Sequence, residues 1–168
     1  MSNHLTHERA LGLIHWALKD RIVRAKTLAE IAHHGQRDKA GEDYFSGHLT
    51  RVVNRVVSPH HLEVWQAAWL HDIVEDTPVT LHHLVAMDFD PIVIAAVDQL
   101  THPRHLGYDV YIDNMVEAKG FHAVVARRVK LADIEDHLDD TTHLTPAQVG
   151  KYRIAKSQLA ERIDGGAP

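Results

Sequence analysis

Cysteine is absent from this chain of 168 residues. Without thiols there is neither a disulfide nor a thiolate metal site, so any metal ligand must be nitrogen or oxygen, and the composition suits a reducing cytoplasm. Long apolar runs are missing too. No stretch approaches the roughly 20 residues of a membrane span, and the polar opening from Met1 to Arg9 lacks the apolar core of a signal peptide. The chain therefore reads as soluble, cytoplasmic and unprocessed, with no membrane partner. An excess of basic charge is also lacking. With 18 Lys and Arg against 23 Asp and Glu, the formal charge is −5. That argues against nucleic acid as a partner, because such binding depends on a basic surface. Any phosphate must meet a local basic patch. There is no internal repeat, low-complexity tract or linker, and the length suits one domain over 1–168, with a core from about 21 to 160.

Strand alternation is scarce and helical periodicity dominates, so the expected class is all-α, a bundle of eight or nine helices. An amphipathic helix is expected from Leu5 to Leu18, through Leu11, Ile14, Trp16 and Leu18, and a second from Arg21 to His34, ended by Gly35. A polar loop follows from Gln36 to Asp43. The next helix runs from Phe45 to Val57 and is closed by Ser58-Pro59. Another, His60 to Val74, carries Val64, Ala67, Ala68 and Leu70 with two tryptophans and reads as a central buried element. Thr80 and Asp90-Pro91 are start signals for helices to Met87 and Leu100. Thr101 to Gly107 is a loop, Gly120 splits Tyr108–Lys119 from a helix over Phe121–Leu138, and Thr145-Pro146 opens the last helix, to about Ile163. Gly165 to Pro168 is expected to fray.

Histidine is abundant, with 16 in the chain. His4, His7, His60, His61, His82, His83, His102, His105 and His143 fall in expected loops or helix starts, where solvated side chains are the plain reading. The segment Leu70-His71-Asp72-Ile73-Val74-Glu75-Asp76-Thr77 is different. On a helix, His71 and Glu75 are i,i+4 neighbours and Asp72 meets both Glu75 and Asp76, so the group points broadly one way. Clustered carboxylates repel unless a cation sits among them. Imidazole with carboxylate is a ligand set for a divalent cation, and the spare acids can prepare a water. Further ligands must come from other helices. His48 is one candidate, with helix capping as its alternative; Asp133, set in an apolar stretch, is another, with a surface acid as its alternative. Arg104, in the Thr101–Gly107 loop, is a candidate phosphate ligand.

His48, then His71-Asp72, then Asp133 resembles the H…HD…D ligand set of the HD-domain metal-dependent phosphohydrolases. The loop His34-Gly35-Gln36-Arg37-Asp38-Lys39 leading to Tyr44-Phe45 and His48, the HDIVEDT segment, and Val129-Lys130-Leu131-Ala132-Asp133 look like one subgroup. It comprises the hydrolase domain of bifunctional alarmone synthetase/hydrolases and the stand-alone small alarmone hydrolases, and the resemblance runs from roughly Arg21 to Leu159. It implies an HD-type helical bundle with His48, His71, Asp72 and Asp133 as ligands to a divalent metal, usually Mn2+. It also implies Glu75 and Asp76 as the pair that orients and activates water, Arg37 and Lys39 as a basic loop facing a small phosphorylated nucleotide, and Lys130 and Tyr152 in its pocket. Two positions depart from the pattern. Asp38 interrupts the basic loop, and His137 stands where the subgroup has a ribose-contacting asparagine.

The implied activity is removal of the 3′-diphosphate of ppGpp or pppGpp. Hydrolysis of another phosphorylated nucleotide, such as ppApp, NADPH or a nucleoside monophosphate, is the alternative that Asp38 and His137 keep open. A non-catalytic nucleotide-binding regulatory module is a third reading, opposed by the complete set of ligands and acids.

Overall fold

The structure is a computed structural model that describes residues 7–56 and 61–165, with side chains described from Asp20 onward. Where two helices are expected before Gly35 there is one, α1 (His7–Ala32). The junction Lys19-Asp20 carries neither proline nor glycine, and helix propagation continues where nothing interrupts it. Gly35, at φ 78°, ends this region by adopting the left-handed backbone that a residue with a Cβ resists. The stripe Leu11, Ile14, Trp16 and Leu18, together with His4, His7, His60, the Ser58-Pro59 stop and the end of the tail, lies outside the described residues or side chains.

Residues 36–44 form a tight loop, closed by Asp38 N–H donating to Glu42 O at 2.9 Å and Tyr44 N–H to Gln36 O at 3.0 Å. The helix expected over Phe45–Val57 is divided. A π-helical turn (Phe45–Leu49) opens it, with Leu49 N–H reaching back five residues to Tyr44 O at 3.1 Å, and α2 (Thr50–Arg55) continues it. Single π-turns are frequent at functional sites. Gly47 sits here for space: a Cβ would lie 3.0 Å from Asp38 Oδ2 and 3.3 Å from Arg51 Nη1.

The central element is α3 (Leu62–Leu70), which packs on α1, α2, α6 (Pro91–Leu100) and α8 (Phe121–Asp139). Val64, Ala67, Ala68, Trp69 and Leu70 are all buried, as the sequence predicts. The helix does not run on to Val74. Asp72, at φ −102° and ψ 0°, breaks it, and a single turn, α4 (Ile73–Asp76), follows. The expected continuous helix through the His-Asp-Glu-Asp cluster is thus replaced by a corner, in which the Asp72 side chain is committed to tertiary partners described below.

Helix α5 (Leu81–Ala86) is capped by Thr80 and α6 by Asp90, while Thr145 caps α9 (Pro146–Asp164), each side chain accepting a backbone N–H as its start signal predicts. Helix α7 (Tyr108–Glu117) completes the order. Among the described residues the expected all-α bundle holds, and no helix is long and apolar enough to cross a membrane. Leu70 is fully buried immediately before His71. Leu70→Ala is expected to cost about 2–5 kcal/mol of stability, read from urea unfolding, because the surrounding helices collapse only partly into the hole.

Candidate active site

His48 comes from the π-turn, His71 and Asp72 from the corner after α3, and Asp133 from the middle of α8. Separated by as much as 85 positions in the chain, they converge. His71 Nε2 lies 3.3 Å from His48 Nε2, 3.0 Å from Asp72 Oδ2 and 3.9 Å from Asp133 Oδ1; His48 Nε2 lies 3.5 Å from each of those oxygens. Ligands held at about 2.1 Å from one small dication are spaced roughly 3.0 to 3.5 Å apart, so all but the widest of these separations match a shared ion.

The hydrogen-bond partners define which ring nitrogens face inward. A carbonyl can only accept, so the 2.8 Å contact from His71 Nδ1 to Ala68 O puts hydrogen on Nδ1 and leaves the Nε2 lone pair for the cluster. Asp136 Oδ2 does the same for His48 Nδ1 at 2.9 Å. Two lone pairs and two carboxylates cannot face one another across some 3.5 Å without positive charge between them. With no metal bound, a proton on the imidazole meets the same demand for positive charge. Burial alone pulls the His48 pKa down, yet hydrogen bonds to Asp136 and Asp72 and the charge of Asp133 push it up to about 10. Asp72 and Asp133, which burial acts to raise, are held below the ordinary carboxylate range by their cationic neighbours. This is a site built for a cation.

Sequence reasoning missed the supports of these donors. Asp136 is buried beneath His48 and is gripped by Arg51 Nε at 2.9 and 3.2 Å and by Arg55 Nε at 3.4 Å. A signal existed: Asp136 lies one turn beyond Asp133, and Arg51 one turn beyond His48. Arg51 also pairs with Asp38 and Glu42, each at 3.0 Å. Asp38, which interrupts the basic loop, is therefore neutralised by Arg51 and by the N–H groups of Ala40 and Glu42. Asp136→Ala should weaken Mn2+ binding on the order of 10- to 100-fold, as loss of a histidine-orienting carboxylate does elsewhere. Calorimetric titration reads this directly, and an unchanged affinity would remove Asp136 from the site.

Glu75 and Asp76 stand beside the donors rather than among them. Glu75 Oε1 accepts the His102 N–H at 2.7 Å, and Asp76 Oδ2 receives the Tyr44 hydroxyl at 3.3 Å; that hydroxyl lies 2.5 Å from Asp72 Oδ2. His102, read from sequence as a solvated side chain, is half-buried and ties its own loop through Nε2 to Leu106 O. Burial raises the pKa of both acids, with the Asp72 charge a further cause, which makes each a stronger proton acceptor than an exposed carboxylate. The Tyr44 phenol is pushed far above its usual value by burial and by Asp72, so it stays a neutral donor.

A cavity of about 390 Å³ opens over this group. Arg37, Lys39, His48, Asp72, Glu75, Asp76, Lys130, Asp133, His137 and Tyr152 line it, whereas His71, which is buried, and Arg104 do not. Lys130 Nζ is 2.8 Å from Asp133 Oδ2. That contact makes it a partner of the donor set, beyond the pocket-lining role expected for it. Arg37 Nη1 donates to Gly41 O, bracing its loop.

An all-helical bundle that gathers one histidine, a His-Asp corner and a distant aspartate around a cation-seeking point defines a metal-dependent hydrolase of the HD type. No family model matches the chain. The mouse protein named guanosine-3′,5′-bis(diphosphate) 3′-pyrophosphohydrolase MESH1 is 30% identical over 138 residues, covering 80% of this chain and 76% of that relative, and the human MESH1 matches to the same extent. The chain belongs to this family of 3′-pyrophosphohydrolases. A solved structure described as "A metazoan ortholog of SpoT hydrolyzes ppGpp and plays a role in starvation responses" shares the fold, with a TM-score of 0.68 and 24% identity over 86% of each chain.

Proposed function

We propose that this chain hydrolyses a guanosine alarmone, ppGpp or pppGpp, at its 3′-diphosphate, releasing pyrophosphate, with Mn2+ as the working cation. The observation that carries the reading is the pairing of a four-donor cation site with two separately held carboxylates on the floor of one nucleotide-sized cavity. When bound, a divalent cation supplies Lewis acidity toward the reacting phosphoryl group. The chain's own groups do the rest. Glu75 and Asp76, each fixed by one hydrogen bond, orient the attacking water and take its proton. Tyr44 keeps Asp76 in register with Asp72 through its hydroxyl. Arg37 and Lys39 at the rim meet the phosphates, and the Tyr152 ring offers a flat wall to sugar or base.

The test is a product screen. Protein loaded with Mn2+ is incubated with ppGpp, pppGpp, ppApp, NADPH and nucleoside monophosphates, and products are separated by ion-exchange chromatography. Guanosine diphosphate and pyrophosphate from ppGpp, at a rate well above that for the others, is the expected result. A preference for NADPH or ppApp would move the chain to another phosphorylated nucleotide, and no turnover of any compound would remove the enzyme reading.

A further inference from the structure

We propose that His137 is a fifth protein donor to the cation, and that this third imidazole lets the site hold nitrogen-favouring ions such as cobalt, nickel and zinc as well as manganese. The inference rests on the four-donor site proposed above and deepens it.

His137 lies four residues after Asp133 on α8, so the two side chains share a helix face, the spacing at which a helix presents paired metal ligands. Its Nε2 is 3.4 Å from Asp133 Oδ1, the same oxygen that faces His48 Nε2 at 3.5 Å. One donor atom from each of His48, Asp133 and His137 lies within 4.8 Å of the other two, as is also true of His48, His71 and Asp72. The His48 and His137 rings lie nearly parallel, with centroids 5.1 Å apart and planes 12° apart. On its far side the His137 ring runs parallel to Tyr152, with centroids at 5.4 Å and planes 10° apart, which holds it in this orientation.

Three imidazole nitrogens against two carboxylate oxygens is a donor set that rewards cobalt, nickel or zinc, whereas manganese favours oxygen. The sequence assigned His137 to the substrate, and it lines the cavity; its Nε2 also faces Asp133 Oδ1.

Metal-free wild type, His137→Asn, His137→Ala and His71→Ala are titrated separately with Co2+ and with Mn2+. Cobalt binding is read from its visible absorption, manganese from the resonance signal of the free ion, and folding from circular dichroism. Both His137 variants should weaken Co2+ at least about tenfold and alter the cobalt bands, while Mn2+ weakens less than about threefold. Identical Co2+ affinity and bands in wild type and both His137 variants would overturn the fifth donor, as would equal losses for both metals. Retention of wild-type binding by His71→Ala would instead overturn the four-donor site itself, so the two failures are told apart.

Discussion

His71→Ala is expected to abolish divalent-cation binding and, with it, hydrolysis. His71 is 1% exposed and its Nε2 sits within 3.0 to 3.3 Å of Asp72 Oδ2 and His48 Nε2, so alanine withdraws a donor from the centre of the cluster and not from its edge. It also removes the imidazole whose Nδ1–H is anchored to Ala68 O. Water entering the space offers a weaker and less constrained ligand. Calorimetry with Mn2+ should show no saturable binding, and product formation should fall to background, while circular dichroism reports an intact helical fold. Saturable binding near the wild-type affinity would disprove the assignment of His71 to the cation.

Glu75→Gln and Asp76→Asn should behave in the opposite way, keeping the cation and losing rate on the order of 10²-fold or more, the usual contribution of a positioned acid-base group. The amides retain the shape of the acids and can still accept the His102 N–H and the Tyr44 hydroxyl, so the surrounding geometry is preserved. What they lose is the capacity to take a proton from water. Single-turnover measurements at saturating Mn2+, alongside calorimetric affinities, separate these two effects. A variant with near-normal rate would take its residue out of the proton-transfer role; one with impaired metal binding would make that residue a ligand.

The helix starts at Thr80, Asp90 and Thr145 were legible because capping is local chemistry, decided within four residues. The merging of two expected helices into α1, the π-turn before α2 and the break at Asp72 were not. Each depends on packing across the bundle. Asp72 leaves the helix where its carboxylate meets Tyr44 and His71, and Tyr44 is 28 residues away in the chain. The same limit explains the misreading of His102 and the unforeseen partners of Asp38 and Lys130. In sequence, Asp38 is an acid interrupting two basic residues; in the fold, Arg51 from the following helix neutralises it.

By itself the sequence determined the chemistry on offer: no thiolate, a His-Asp pair followed by two acids, and lone candidates at His48 and Asp133. Residue type sets ligand hardness and proton affinity wherever the residue ends up. Only the tertiary structure decided that His48 Nε2 and Asp133 Oδ1 stand 3.5 Å apart, that Asp136 with Arg51 steadies one donor, and that His137 turns toward the cluster and Arg104 away from the cavity. Those placements are made by the packing of α3, α8 and the π-turn, whose contacts join residues too distant in the chain for any spacing to report.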